Sequence, residues 1–546
     1  MGKDVKFKNS FTRLISRPGF VKIPLVFRGK EVFSMNTQHT RIKSGKYLRS
    51  EPKKKNHLPG TIGWTILFLI ASLCFFAARW YIKTYGDLGF DSILYTVFSD
   101  LGGVQAGLVW SFCLKALIPT LLCTSLFAAA LHLLSKKKTQ RLLSRVTALA
   151  LSLLMIGQAA FSTGLPEYIY GQFNETPLFD QYYVQPTAEN VKFPEEKRNL
   201  IYIFLESMEI SYLSEELGGG QEDNLIPELY ELATEHTSFS HDNSKVGGFL
   251  PVTGATWTIG AMVAHTSGIP LKLPLGVAEN DYGQGEDGFL PGIVSLQDIL
   301  HDQGYYQTLM VGSVASFGGR RQYYLQHGAD HVYDISTARK DGIVPGDYFV
   351  WWGMEDKYLF EYAKEELTEI SQQDQPFAFT MLTVDTHHIG GYICQYCENE
   401  HEEQYENVMS CSSRQVLEFV QWLQAQPFYE NTTIVITGDH LSMDKGYFSR
   451  NMDEDYVRRC YNCFINPAVN TKFDKNRQFS ALDMFPTTLA AMGCTIDGEY
   501  LGLGVNLFSG KPTLIEKLGY KKFDQQLSLT SGYYAENFRL EEPEEE

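Results

Sequence analysis

Three short apolar runs in this chain each stop at residues able to do chemistry. LIYIFL at 200–205 is followed by Glu206 and Ser207, and FAFTMLTV at 377–384 by Asp385, Thr386, His387 and His388. TIVIT at 433–437 is followed by Gly438, Asp439 and His440. One carboxylate at a strand end is commonly a helix cap. Three at strand ends along one sheet edge, with an imidazole among them, can hold a divalent cation, and oxygen donors favour Mn²⁺, Mg²⁺ or Zn²⁺ over a purely thiolate centre.

A metal needs something to activate. The stretch GGFLPVTGATWTIGAMVAHTSGIPL at 247–271 opens on glycines, passes Thr253, Thr256 and Thr258, and then reads as an apolar helix through Ile259, Met262 and Val263. A hydroxyl where a loop enters a helix lies at the positive end of the helix dipole, which also suits a phosphate or sulfate. The same threonines are equally suited to capping that helix. Residue types alone leave both readings open and do not choose among the three.

These residues need a scaffold. Apolar, β-branched runs at 200–205, 308–311, 377–384 and 433–437 alternate with stretches of helical spacing such as 412–424. Buried parallel strands read as continuous apolar runs, and the alternation predicts an α/β fold, an open and mostly parallel sheet sandwiched by helices. In such sheets ligands bind beyond the carboxyl ends of the strands, where the polar residues fall.

Charge divides the chain. Residues 1–165 hold 23 Lys and Arg against 6 Asp and Glu, whereas the remainder holds 24 against 58. The basic part contains three apolar stretches of spanning length, 61–78, 106–134 and 146–165, the second interrupted by Lys115 and Pro119. Lys115 is expected to snorkel to the nearer surface. Fifteen Lys and Arg precede the first stretch, and Lys136, Lys137, Lys138, Arg141 and Arg145 lie between the second and third. The excess of cations places both segments inside, so three spans leave everything after about residue 165 outside the cell membrane. The expected organisation is a basic cytoplasmic tail (1–60), a three-helix α-helical transmembrane region (61–165), a linker (166–196), an extracytoplasmic catalytic domain (197–509) and an extension (510–546) ending in an acidic tail. The basic tail reads as a solvated segment near anionic lipid, so no nucleic-acid partner is expected.

Six of the nine cysteines, Cys394, Cys397, Cys411, Cys460, Cys463 and Cys494, fall in the proposed external domain. Two Cys-x-x-Cys pairs suit a zinc site, while an oxidising exterior favours disulfides. Disulfides are the first expectation, structural zinc the second and free thiols the third, and the connectivity is not legible.

Taken in order, NLIYIFLESME, TWTIGAMVAHTSGIPL, LTVDTHH, ITGDHL and FSALDMFPTTLAAMG followed by LGLGVNLFSG resemble the alkaline phosphatase and sulfatase superfamily, in its branch of lipoteichoic acid synthases and membrane phosphoglycerol transferases. The resemblance spans residues 197–509. It implies that Glu206, Asp439 and His440 are metal ligands, with Thr258 both the fourth ligand and the nucleophile. It also implies that His387 contacts the substrate phosphate and that Arg320 of FGGRRQYY binds substrate. The implied cofactor is a divalent metal, Mn²⁺ first, with Mg²⁺ or Zn²⁺ possible. The implied reaction moves a phosphoglycerol head group from phosphatidylglycerol, through a phospho-threonine, to a glycan or polyglycerolphosphate acceptor.

Two departures stand out. The synthases carry an aromatic and a second histidine upstream of that arginine, whereas here Phe317, Gly318 and Gly319 precede Arg320. They also have five spans against three. The alternatives on the same fold are a phosphoethanolamine transferase, or a phosphodiesterase or sulfatase-type hydrolase. For a sulfatase, the nearest string to the modified-residue motif, Cys411-Ser-Ser-Arg414, lacks the proline and has arginine at the wrong distance.

Overall fold

A computed structural model describes residues 58–540, apart from most of 87–105, residues 135–137 and positions 275, 276, 278, 286 and 287. The basic tail and the acidic end expected from the sequence lie outside the described residues.

Helix α1 (Leu58–Tyr85) is followed by α2 (Ala106–Phe112), a π-helical turn (Cys113–Leu117), α3 (Ile118–Leu134) and α4 (Lys138–Ser162). The widened turn sits immediately before Pro119, whose ring would otherwise meet the carbonyl four residues back, at Lys115. Three stretches, Ile62–Tyr85, Gly107–Leu133 and Leu142–Ser162, are long and apolar enough to cross a bilayer. They pack on one another: Phe68 stacks on Phe127 at 3.9 Å, and Ser72 shares a buried hydrogen bond with Thr124 at 3.2 Å. Leu126, Leu133, Leu142, Leu154 and Phe161 point outward and are exposed, as suits helices solvated by lipid chains.

The rest of the chain is built on a six-stranded sheet. Its strands are β1 (Asn199–Leu205), β2 (Tyr306–Val311), β3 (His331–Tyr333), β4 (Phe377–Leu382), β5 (Thr432–Gly438) and β6 (Asn462–Ile465), in the spatial order β3-β2-β4-β1-β5-β6. Five are parallel, and β6 runs antiparallel to β5 at one edge. The expected runs all form strands within one or two residues of the expected bounds. The central strands are buried on both faces, so each run is continuously apolar.

Two hydrophobic cores flank the sheet. One contains α5 (Thr258–Ser267) and α10 (Ala481–Ala491). The other contains α7 (Asp356–Ile370) and α8 (Gln404–Gln424). The segment expected as a linker holds helices Leu165–Gln172 and Leu178–Tyr182, and Phe179 packs edge-on against Tyr534 and Phe538 from the C-terminal extension. Both flanking segments therefore contribute to the first core.

Candidate active site

The register between β1 and β5 decides where the site lies. Leu205 pairs with Gly438, so Glu206 and Asp439 leave the sheet side by side. A Cβ on Gly438 would come within 1.8 Å of the Met208 carbonyl oxygen, so only glycine lets the two loops approach this closely. Ser207 is held at φ 56°, a region costly to a residue with a side chain. In that conformation its amide donates to Asp439 Oδ1 at 2.8 Å and its hydroxyl to Glu206 Oε1 at 2.7 Å.

Thr258 arrives from the other side, as the first residue of α5. Its Oγ1 lies 3.5 Å from Glu206 Oε2 and 3.4 Å from His440 Nε2. His440 Nε2 is in turn 3.3 Å from Asp439 Oδ2 and 3.7 Å from Glu206 Oε1. Of the three threonines considered from the sequence, Thr258 is the one that lines this cavity, while the amide of Thr253 is turned to Asp524 Oδ1 at 2.7 Å. Glu206, Asp439 and His440 are buried, and Thr258 is half-buried.

The donor set fits a divalent cation. Asp439 Oδ2 is buried with no hydrogen-bond partner among the described residues, which is costly for a carboxylate oxygen unless a cation serves it. His440 Nδ1 donates to the Leu441 carbonyl at 2.9 Å, so Nε2 faces the carboxylates and is the ring atom that would ligate a metal in place of its proton. Separations of 3.3–3.7 Å match the edges, about 3.3–3.5 Å, of a tetrahedron of O and N donors at about 2.0–2.1 Å from a metal.

The electrostatics reflect crowded like charge. Burial, and then the Glu206 charge, push Asp439 up to about 7. Burial alone would raise Glu206 as well, but His387, His440, Ser207 and Arg320 outweigh it and hold the carboxyl below its usual value. Burial lowers His440, but Asp439 and Glu206 outweigh it and raise the imidazole.

A cavity of about 460 Å³ opens in front of this cluster, lined by Glu206, Thr258, Arg320, His387, Phe349 and Trp352 among others. Arg320 is fixed by Nε donating to the Phe317 carbonyl at 2.9 Å and by Nη2 donating to Ser313 Oγ at 3.1 Å and the Val314 carbonyl at 2.9 Å. His387 Nδ1 donates to the His388 carbonyl at 2.8 Å, and its ring lies 4.5 Å from that of Trp352. Burial lowers the His387 pKa, so its Nε2 is unprotonated at neutral pH.

Of the six residues expected from the sequence, Glu206, Thr258, Arg320 and His387 line one cavity, and Asp439 and His440 pack against Glu206 and Thr258. Asp385 does not join them. Its carboxylate turns back to accept from the Asp356 amide at 3.2 Å, while Asp356 accepts from the Val384 and Asp385 amides, so the pair shapes the loop before His387. Sequence reasoning missed Ser313, Trp352 and Glu209, and gave Ser207 no role. Buried Glu209 accepts from the Ser442 amide at 2.7 Å and pairs with Arg458, bracing the loop that carries His440. The available signals were the repeated glutamate in LESME and the adjacent tryptophans in VWWGM.

A sequence model of the sulfatase family matches residues 198–494, just over half of the chain and every strand and loop described above. The chain belongs to the sulfatase family. Its sheet, with helices on both faces and apolar helices before it, is the alkaline phosphatase and sulfatase type of fold. Among curated sulfatase-like relatives, phosphoglycerol transferase I of Escherichia coli (strain K12) is 30% identical over 460 residues, covering 82% of this chain and 56% of that protein. The same transferase from Escherichia coli O127:H6 (strain E2348/69 / EPEC) matches to the same extent. The chain therefore spans little more than half the length of the curated relatives it matches.

Among solved structures, the lipoteichoic acid synthase LtaP from Listeria monocytogenes superposes with a TM-score of 0.47 at 18% identity, covering 61% of this chain and 80% of that one. The lipooligosaccharide phosphoethanolamine transferase A from Neisseria meningitidis does so with a TM-score of 0.45 at 11% identity, covering 81% and 85%.

Proposed function

We propose that this chain is a membrane-anchored phosphotransferase that moves the phosphoglycerol head group of phosphatidylglycerol onto a glycan or polyglycerolphosphate acceptor, with Thr258 as the covalent carrier. The observation that carries the reading is one cluster of donors: the Thr258 hydroxyl lies 3.5 Å from Glu206 and 3.4 Å from His440, whose Nε2 is in turn 3.3 Å from Asp439. The similarity to phosphoglycerol transferase I supports the choice of head group. The cation excess in the tail and in the loop before α4 supports an extracytoplasmic site on a three-span anchor.

A divalent cation, Mn²⁺ in the first instance, would be held by Glu206, Asp439, His440 and Thr258 and would supply the charge that makes a threonine hydroxyl acidic enough to react near neutral pH. In the first half-reaction a bond forms between Thr258 Oγ1 and phosphorus as the bond from phosphorus to the diacylglycerol oxygen breaks. The proton lost by Thr258 passes to His387 Nε2 and from there to the departing oxygen, so diacylglycerol leaves neutral. In the second half an acceptor hydroxyl gives its proton to His387, attacks phosphorus and releases Thr258, which recovers the proton. Arg320 and the N-terminal end of α5 would face the phosphoryl oxygens, where negative charge must be stabilised.

The anchor places the site near its donor. Tyr85, at the end of α1, contacts His388, next to His387, so a lipid head group need not travel far from the bilayer. Purified protein with Mn²⁺ and fluorescent phosphatidylglycerol is expected to release diacylglycerol, and Thr258→Ala to abolish the release. Undiminished release by the variant would refute the assignment of Thr258. Phosphatidylethanolamine run in parallel, and turnover without acceptor, separate the phosphoethanolamine transferase and hydrolase readings.

A further inference from the structure

The cysteines do not form the disulfides expected first. All nine are free thiols, with no disulfide among the described residues. Cys460 and Cys463, three apart on extended chain, face opposite sides of the sheet and enter different cores. That pair therefore cannot complete a four-cysteine centre. The other pair instead meets Cys411. Cys394 and Cys397 lie in the loop after β4, Cys411 lies on α8, and the three sulfurs are all within 4.8 Å of one another.

Two geometric facts distinguish this cluster from a chance gathering of thiols. Cys394 Sγ is 3.7 Å from Cys397 Sγ and 3.7 Å from Cys411 Sγ. A disulfide would hold two sulfurs at about 2.0 Å, whereas four thiolates at about 2.3 Å from a tetrahedral metal stand about 3.8 Å apart. Each sulfur also accepts one N–H. The Tyr396 amide donates to Cys394 at 3.3 Å, the Cys394 amide to Cys397 at 3.3 Å, and Gln415 Nε2 to Cys411 at 3.4 Å. Such donors spread the negative charge of metal-bound thiolates and fix their orientation.

We propose that Cys394, Cys397 and Cys411 form a second metal centre, a structural site for a thiophilic divalent ion such as Zn²⁺, with its fourth position filled by solvent or an added ligand. Cys394 and Cys411 are buried and Cys397 is only partly so, so the open position lies beside Cys397. The donor sets of the two centres are complementary. Three sulfurs select a soft ion, while the carboxylates, imidazole and hydroxyl around Thr258 accept harder ones. A filled thiolate centre ties the loop that carries His387 to α8, and so sets the position of His387 at the cavity wall.

The full-length protein, purified in detergent and loaded with Co²⁺ in place of its native metals, tests this. The expected result is a near-ultraviolet thiolate-to-cobalt absorption band that persists in Thr258→Ala and is lost or strongly weakened in Cys411→Ser. Because Cys411 is buried and its replacement can unfold the chain, Cys397→Ser is measured beside it, and the same loss is expected with an unchanged far-ultraviolet circular-dichroism spectrum and a lowered melting temperature. Non-reducing peptide mapping of the wild-type protein is expected to recover all three cysteines as thiols. A wild-type protein with no such band, a band unchanged in both cysteine variants, or a mapped disulfide between any two of the three would overturn the proposal.

Discussion

Tyr85, the last residue of α1, stands edge-on to His388, with ring centroids 5.9 Å apart and planes at 87°. Gly86, the next residue, lies beside Lys445 at the start of helix α9 (Lys445–Asn451), just beyond the loop that carries Asp439 and His440. The end of the first apolar helix is thus seated on both loops that build the site. Tyr85→Ala is expected to lower head-group release from phosphatidylglycerol in a bilayer about tenfold while leaving cleavage of a water-soluble glycerophosphodiester unchanged. An equal loss on both substrates would show that Tyr85 supports the fold and not the approach of lipid.

Asp439 presents a buried oxygen with no hydrogen-bond partner among the described residues. Chelation is expected to abolish activity and added Mn²⁺ to restore it. Asp439→Asn should raise the metal concentration needed for half activity by more than about a hundredfold, beyond what loss of an outer-shell contact costs. An unchanged metal requirement in the variant would place the metal elsewhere.

Glu209 is fully buried and faces the partly exposed Arg458. Glu209→Gln removes the compensating charge and leaves a desolvated guanidinium, so it should cost about 3 kcal/mol of stability, read from denaturant unfolding in detergent. Activity should fall as well, because the same carboxylate holds the Ser442 amide beyond His440. A variant as stable as the wild type would mean that Arg458 reaches solvent once released.

His265 lies beneath the site on α5, fully buried and 2.8 Å from the Tyr202 hydroxyl. Burial pushes its pKa down to about 3, whereas in the unfolded chain it titrates near about 6.5. Between those values the unfolded state binds the extra proton, so the stability is fully present above pH 6.5 and is lost as pH falls toward 3. Melting temperatures of wild type and His265→Gln are therefore expected to converge as pH is lowered from 7 to 4. A constant gap would refute the assignment.

Much of this site was legible because chemistry and scaffold coincide in the chain. LIYIFL-Glu206 and TIVITG-Asp439-His440 are strands buried on both faces, so continuous apolar runs ended where polar residues began, and parallel pairing aligned those ends. Thr258 was not legible from pattern alone, because Thr253 and Thr256 share its loop and composition, and what separates them is the fold of that loop over Glu206. Asp385 misled for a related reason. A strand-end carboxylate reads the same whether it faces the cavity or caps its own loop against Asp356. The short edge strands β3 and β6 escaped notice, since three or four residues give too little alternation. The cysteine cluster was invisible because Cys411 lies on a helix that only the packing of α8 brings to the Cys394 loop.

The central claim is that Thr258 carries the head group. The direct measurement is mass spectrometry of peptides from protein quenched during turnover of phosphatidylglycerol without acceptor. The account predicts a peptide containing Thr258 heavier by one glycerophosphoryl group, which disappears when an acceptor glycan is added and is absent from Thr258→Ala. A modified Thr256, or sustained diacylglycerol release with no modified residue under any quench, would contradict it.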